Sequence, residues 1–131
     1  MTEQIEIKAE SDIVLARQAG RLLARQTGFG VIVQSRITTA ISELARNIFL
    51  YAGQGLITLE IVEAEGKTGI RITAIDQGPG ISDLRKALED GYSTSGALGA
   101  GLPAVRRMMD HFSIESRAGA GTRVEAIKWM E

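Results

Sequence analysis

The feature that most constrains the fold is a long amphipathic stretch, from about residue 31 to residue 51. Its apolar side chains recur at intervals of three and four residues, which places them along one side of an α-helix; they are Ile37, Ile41, Leu44, Ala45 and Ile48. Gly53 and Gly55 follow and predict the end of the helix. A helix with one apolar side must bury that side, so we expect a layered domain built around it.

A shorter helix is predicted before it, over residues 13–26. Ser11 and Asp12 are residue types that cap helix N-termini, and Gly28 is the type that commonly follows a helix C-terminus. We expect four apolar residues on the buried side of this helix, namely Ile13, Val14, Leu22 and Leu23.

Alternating apolar and polar residues predict five strands, over residues 4–8, 56–63, 69–76, 112–117 and 122–129. Short loops join the second strand to the third and the fourth to the fifth, as in β-hairpins. Two more helices are predicted, over residues 82–89 and 101–111, with a glycine-rich loop at residues 91–100 between them. The fold class is therefore a single α/β domain over residues 1–131: an α+β two-layer sandwich with a mixed, mainly antiparallel sheet and helices on one face.

Composition excludes several classes of function. The 131 residues contain no cysteine, which rules out thiol catalysis and thiolate metal sites. With 15 basic and 16 acidic residues the net charge is -1, without the basic surplus of a nucleic-acid-binding protein. No apolar run approaches the ~18 residues that a membrane span requires, and the N-terminal segment is polar. We therefore expect a cytoplasmic protein with neither a nucleic-acid nor a membrane partner.

Glu43 and Asn47 are the first pair of residues that can carry chemistry. They lie one turn apart on one side of the predicted long helix, away from its apolar stripe. A carboxylate there can take a proton from an attacking hydroxyl group, and the carboxamide oxygen of Asn47 suits Mg²⁺. Polar pairs at this spacing are also common on solvated helix faces, which is the alternative interpretation.

A second signal follows the strand that is predicted to end at Asp76. The sequence Asp76-Gln-Gly78-Pro-Gly80 combines a carboxylate with two glycines, where backbone can approach a flat ligand closely. The carboxylate can accept a hydrogen bond from an exocyclic amine. Asp, Gly and Pro also favour turns, so an ordinary turn is the alternative.

A glycine-rich segment, residues 96–101, precedes the last predicted helix. Unpaired N–H groups and the helix dipole favour anions at such a position. No Lys-Ser/Thr follows the glycines, so the segment is not a P-loop, and a flexible hinge is the alternative. Together the three signals predict a magnesium-nucleotide site to which the protein supplies a base, and hence an ATP-using enzyme.

Taken in order, these motifs resemble those of the GHKL ATP-binding fold, which gyrase, Hsp90, histidine kinases and MutL share. Glu43-x-x-x-Asn47 resembles the N box, Asp76-x-Gly78-x-Gly80 the first glycine box, and Gly99-x-Gly101 the second; Gly121-Thr122 resembles a late Gly-Thr element. The short chain is similar to the bacterial anti-sigma and switch serine/threonine kinases. The similarity to the switch kinases of the stressosome is greatest over residues 37–47 and 90–102.

The resemblance implies a role for each matching residue. Glu43 would be the catalytic base, Asn47 would hold Mg²⁺ against the phosphates of ATP, and Asp76 would accept from the adenine amino group with support from Thr122. The implied nucleotide-binding residues are Asn47, Asp76, Gly78, Gly80, Ser95, Gly96, Gly99, Ala100, Gly101, Leu102 and Thr122. Residues 91–98 would form a lid, and Arg106 or Arg107 would supply a positive charge to the γ-phosphate.

The activity that the resemblance implies is serine/threonine protein kinase activity, with ATP and Mg²⁺. Its substrates would be STAS-domain proteins of a stressosome, and after release the kinase would bind and activate a PP2C-type phosphatase. Related anti-sigma kinases dimerise, which leaves a homodimer open. Two other functions remain compatible with the motifs: a nucleotide-gated anti-sigma factor that sequesters a sigma factor, and a plain ATPase.

Overall fold

The computed structural model describes residues 2–80 and 101–131. Within these ranges the elements in chain order are β1 (Thr2–Ile7), α1 (Glu10–Thr27), α2 (Val31–Ala52), β2 (Gly55–Ala64), β3 (Lys67–Asp76), α3 (Gly101–Met108), β4 (His111–Ser116) and β5 (Thr122–Trp129). The helix predicted at residues 82–89 and the loop predicted at residues 91–100 lie outside the described residues.

The five strands form one sheet in the order β1-β2-β3-β5-β4. Each of its four pairings is antiparallel, which confirms the prediction of a mainly antiparallel sheet. The predicted hairpin between β2 and β3 turns at Glu65 and Gly66, whose φ angles of 52° and 78° are those of a two-residue type I′ turn.

One face of the sheet carries the core beneath the helices. On β3, Ile70, Ile72 and Ala74 are at most 4% exposed, because alternate residues of a strand point to the same face. Their partners on β5 continue the apolar face with Val124 and Ala126. One step further along β3 this face becomes polar, at Asp76, and this change marks the end of the sheet where the candidate site lies.

The prediction for α2 is confirmed in position and in packing. The helix runs from Val31 to Ala52, and all five residues of its predicted apolar stripe are at most 2% exposed. Helix α1 packs against α2 at Gly20, where a Cβ atom would collide with the side chain of Ile41. Helix α3 packs against α2 as well, so α2 contacts both of the other helices in the described ranges.

The predicted N-terminus of α1 is wrong. The helix begins at Glu10 after the N-cap residue Ala9, so Ser11 and Asp12 lie inside its first turn. The carboxylate of Asp12 accepts from the backbone N–H groups of Lys8 and Ala9 at 2.9 Å each, and thus stabilises the start of the helix from its third position.

The predicted buried side of α1 is half correct. Ile13 and Leu23 are buried, whereas Val14 and Leu22 are 40% and 45% exposed. Consecutive helical residues are about 100° apart, and at these two positions Val14 and Leu22 lie on the side of the helix that faces away from the core. The predicted end is confirmed by Gly28, which has a φ of 109° and donates its N–H to carbonyl groups of the last turn. None of the described helices is both long and apolar enough to cross a membrane.

Candidate active site

The carboxylate of Glu43 is buried at the contact between α2 and α3. Glu43 is 4% exposed, and its Oε2 accepts a hydrogen bond of 3.0 Å from the backbone N–H of Gly101. The alternative of a solvated helix face is therefore excluded for Glu43. A buried carboxylate needs charged or hydrogen-bonding partners, and the first N–H groups of a helix, which lack acceptors within it, are suitable donors.

The second partner of Glu43 is Arg46, one turn further along α2. The Nη1 atom of Arg46 lies 3.6 Å from Oε1 of Glu43, with side chains 29% and 5% exposed, respectively. In the described part of the chain, no acceptor lies within hydrogen-bonding distance of this buried nitrogen. The sequence interpretation did not single out Arg46. By contrast, Arg106 and Arg107, which it did consider for the γ-phosphate, are exposed on α3.

Asn47 follows Arg46 and is half-buried on α2. Within residues 2–80 and 101–131, no cluster of three or more His, Cys, Asp or Glu side chains is arranged to hold a metal ion by itself. Mg²⁺ commonly uses one or two protein oxygens and takes its other ligands from substrate phosphates and water. A single carboxamide oxygen at this position fits that requirement, provided that a nucleotide supplies the remaining ligands.

Asp76 ends β3, and its side chain organises the loop that follows. Its Oδ1 accepts a hydrogen bond of 2.9 Å from the backbone N–H of Gly78. Gly78 lies against the end of α2, where a Cβ atom would come within 2.6 Å of the Cβ of Ala52. The glycine is thus required for close packing between this loop and α2, and the loop is more than an ordinary surface turn.

The turn between β4 and β5 closes over the same loop. Gly119 donates its N–H to the carbonyl of Pro79 at 2.6 Å. Gly80 has a φ of 76°, and a Cβ atom there would collide with the carbonyl of Arg117. Gly121, with a φ of 80°, lies in the same way against the carbonyl of Asp76. The two glycine-containing segments therefore form one tightly packed unit at the end of the sheet.

Thr122 is directly opposite Asp76 in the antiparallel pairing of β3 and β5. On its other side it is directly opposite Ser116 of β4, and the two hydroxyl oxygens are 2.8 Å apart. A sequence motif contains Thr122, whereas none contains Ser116. Only the cross-strand register reveals the serine, because nothing in the local sequence of β4 distinguishes it.

The structure places these groups along α2. Glu43 and Arg46 lie in the middle of α2, where Gly101 contacts Glu43. Ala52 lies at the C-terminal end of α2 and contacts the loop that follows Asp76. From Glu43 to Ala52 the helix rises about 14 Å, at roughly 1.5 Å per residue. Gly101 and Leu102 are described at the start of α3. The other glycine-segment residues named from the sequence lie outside the described ranges: Ser95, Gly96, Gly99 and Ala100.

Comparison with known proteins identifies relatives with defined activities. Residues 7–128 match the family described as histidine kinase-like ATPase domain. The serine/threonine-protein kinase RsbT of Bacillus subtilis (strain 168) is 62% identical over 126 residues, which are 96% of this chain and 95% of that protein. An anti-sigma F factor of Caldanaerobacter subterraneus subsp. tengcongensis is 33% identical over 100 residues, 72% of this chain and 68% of that protein.

Solved structures with the same fold are more distant in sequence. A mycobacterial sensor histidine kinase, MprB, aligns with a TM-score of 0.59 at 14% identity, covering 98% of this chain and 97% of that one. A chain from the SiaB-SiaC complex of Pseudomonas aeruginosa aligns with a TM-score of 0.56 at 14% identity, covering 99% and 89%. At such identities the likeness shows a shared fold, and it confirms the fold predicted from the sequence.

Proposed function

Because this chain belongs to the family of histidine kinase-like ATPase domains, we propose that it phosphorylates a serine or threonine of STAS-domain proteins, with Glu43 as the general base. The enzyme class, an ATP-dependent serine/threonine protein kinase, follows from the family and from the extensive similarity to RsbT. The observation that supports the role of Glu43 is its nearly complete burial between Arg46 and the first N–H group of α3.

The reaction requires few catalytic groups from the protein. A bond forms between the acceptor hydroxyl oxygen and the γ-phosphorus, the bond from that phosphorus to the β,γ-bridging oxygen breaks, and ADP leaves. The hydroxyl proton passes to the carboxylate of Glu43. Catalysis of this kind depends mainly on positioning and on neutralising the charge of the transferring group. Two partners fix the Glu43 carboxylate, which is the positioning that a base requires.

The nucleotide contacts that we propose extend along α2 from this base. The carboxylate of Asp76, with Thr122 beside it, would accept from the adenine amine, and the loop that Gly78 and Gly80 allow to pack closely would present its backbone to the base. The N–H groups of Gly101 and Leu102, at the start of α3, would face phosphate oxygens. Asn47 would hold Mg²⁺, whose charge offsets that of the phosphates. Roles for Ser95, Gly96, Gly99 and Ala100 remain predictions.

We propose stressosome STAS-domain proteins as substrates and a PP2C-type phosphatase as the second binding partner. The support is the high identity to RsbT over nearly the full length of both chains. A homodimer remains a prediction from the resemblance to anti-sigma kinases.

Label transfer from γ-labelled ATP to a purified STAS-domain protein of the same organism tests the proposal. Wild type, Glu43→Gln and the exposed control Glu63→Gln are compared in the presence of Mg²⁺, with ATP affinity measured for each. We expect label on serine or threonine with wild type and with the control. Glu43→Gln should bind ATP but transfer label about 10²- to 10⁴-fold more slowly.

The same experiment separates the competing functions. ATP binding without transfer, together with recovery of a sigma factor in a pull-down, would favour a nucleotide-gated anti-sigma factor. Phosphate release that is independent of any added protein would favour a plain ATPase. Undiminished transfer by Glu43→Gln would overturn the role of Glu43 while leaving the kinase activity in place.

A further inference from the structure

We propose that Arg46 is a further catalytic residue of this kinase, whose guanidinium group binds the phosphoryl group during transfer. The inference deepens the proposed function and rests on it, because it assumes that the γ-phosphate of ATP reaches the carboxylate of Glu43. It assigns the positive charge at this phosphate to α2, in place of the exposed Arg106 and Arg107 of α3.

The side chain of Arg46 contains a buried nitrogen atom without a hydrogen bond. In residues 2–80 and 101–131, no acceptor lies within hydrogen-bonding distance of its Nη1. The distance of 3.6 Å to Oε1 of Glu43 is longer than the usual N–H···O distance of about 2.7–3.2 Å. Buried donors are almost always paired, because an unpaired one loses its hydrogen bonds to water and gains none. We therefore expect an acceptor that reaches Nη1 with a ligand.

The guanidinium group of Arg46 is suited to an anionic ligand. It is a planar fork of N–H donors with a fixed positive charge, which can bind two oxygens of one phosphate at once. The side chain is 29% exposed, so a ligand can approach part of it from solvent. Glu43 attracts Nη1 by its charge without accepting a hydrogen bond from it, so these N–H groups remain available.

Arg46 also lies within reach of the reacting atoms. A general base must approach the attacking hydroxyl oxygen to about 2.6–3.2 Å, and that oxygen lies about 3–3.5 Å from the phosphorus before the bond forms. The phosphorus is therefore within roughly 6–7 Å of the Glu43 carboxylate. Nη1 is 3.6 Å from the same carboxylate, so a phosphoryl oxygen on the side of α2 can accept from it.

The chemistry of the transfer gives this contact a function. Negative charge is spread over the three equatorial oxygens of the transferring group, and donors that are already in position stabilise such charge most effectively. Helix α2 holds Arg46 three positions after the proposed base and next to Asn47. Arg46 forms no covalent bond and takes no proton. The hydroxyl proton passes to Glu43 and ADP leaves, as in the reaction above.

Nucleotide affinities test the contact without depending on catalysis. ATP and ADP differ by the γ-phosphoryl group, so the ratio of the affinities for the non-hydrolysable β,γ-imido analogue of ATP and for ADP reports contacts with that group. We expect Arg46→Met to lower this ratio about tenfold or more, the effect of a hydrogen bond to a charged group. Label transfer to a STAS-domain protein should fall by about 10²- to 10³-fold. Calorimetry with Mg²⁺ measures the affinities.

Three further variants make the measurement specific. Arg36→Met removes an exposed arginine from the same helix and should leave the ratio and the transfer rate unchanged. Arg46→Lys keeps the charge without the planar fork and should recover only part of the ratio. Arg46→Met combined with Glu43→Gln removes both charges of the pair, so the contact can be tested even where Arg46→Met alone leaves an unpaired buried carboxylate and folds poorly. The Tm of each variant reports its folding.

The outcomes distinguish this inference from the proposed function. In the Glu43→Gln background, a ratio lowered by Arg46→Met would support a direct contact, because an arginine that only neutralises or orients the Glu43 carboxylate has no such partner there. An unchanged ratio in that background would overturn the contact, while label transfer by wild type would leave the kinase proposal intact. A folded wild-type protein that binds neither nucleotide would overturn both.

Discussion

The backbone N–H of Gly101 donates to the carboxylate of Glu43, 58 positions away in the chain, at 3.0 Å. This bond ties the start of α3 to the middle of α2. The carboxylate that we propose as the general base therefore also satisfies one of the N–H groups that lack an acceptor within α3. A single side chain serves stability and chemistry, and the two contributions can be separated by experiment.

The first prediction concerns stability. Glu43→Leu removes the acceptor from Gly101 and leaves Arg46 without its buried partner, so we expect the free energy of unfolding to fall by about 1–3 kcal/mol. Glu43→Gln keeps an acceptor oxygen in a side chain of the same size, and its free energy of unfolding should fall by less. Urea denaturation of both variants, with Glu63→Gln as the exposed control, measures the difference. Equal losses for Leu and Gln would show that the contact with Gly101 contributes little.

The second prediction concerns nucleotide affinity. Asp76→Asn keeps an oxygen that can accept from Gly78 but removes the charge and introduces donor hydrogens beside the proposed adenine amine. Hydrogen bonds to charged groups contribute about 1.5–3 kcal/mol, so ATP affinity should fall by at least tenfold while the Tm changes little. Calorimetry with ATP is the measurement, and Glu115→Gln, an exposed carboxylate on β4, is the control. Unchanged affinity would remove Asp76 from the site.

The sequence predicted those parts of the fold that local patterns determine. The stripe of α2 was predictable because its apolar spacing allows only one helical side. On α1, each of two apolar pairs consists of neighbouring residues, so the pattern is compatible with two different buried sides of the helix. Packing against α2 at Gly20 determines which side is buried. The capping error had a similar origin, since Asp12 can stabilise a helix from within its first turn as well as from its N-cap position.

The candidate site was predictable only in part, for a related reason. Motifs in the sequence singled out Glu43, Asp76 and Thr122 as candidates. The hydrogen bond that Glu43 accepts comes from Gly101, and the contact of Ser116 with Thr122 depends on strand register. Neither relationship has a local signature, because both join segments that meet only in the folded protein.

The third prediction compares two glycines with almost the same backbone. Gly66 and Gly80 have φ angles of 78° and 76°, but a Cβ atom at Gly66 meets nothing within 4 Å, whereas at Gly80 it collides with the carbonyl of Arg117. Gly66→Ala should cost only the left-handed backbone penalty, about 1–2 kcal/mol. Gly80→Ala should cost more in unfolding free energy and should also weaken ATP binding. Equal losses of unfolding free energy for the two variants in urea denaturation would show that the loop at Gly80 can accommodate a Cβ atom without strain.

The last prediction concerns pH and lies away from the site, on Glu60 and Arg71. These residues are directly opposite on β2 and β3 and form two hydrogen bonds of 3.1 Å each. The hydrogen bond from Arg71 lowers the pKa of Glu60 below its ordinary value of 4.5. Because the native pKa is the lower one, the stabilisation is fully present above that ordinary value and is lost as the pH falls through the native pKa.

The pair is partly exposed, with side chains 27% and 34% accessible for Glu60 and Arg71, so its contribution should not exceed about 1 kcal/mol. We expect Glu60→Gln to be less stable than wild type by up to that amount near neutral pH. At about pH 3, below the ordinary pKa of 4.5, the difference should shrink, since the unfolded state then takes up a proton that the native carboxylate binds less readily. Urea denaturation at the two pH values tests this, with Glu63→Gln as the control. A difference that stays constant with pH would mean that the charge of Glu60 contributes nothing and that only its packing matters.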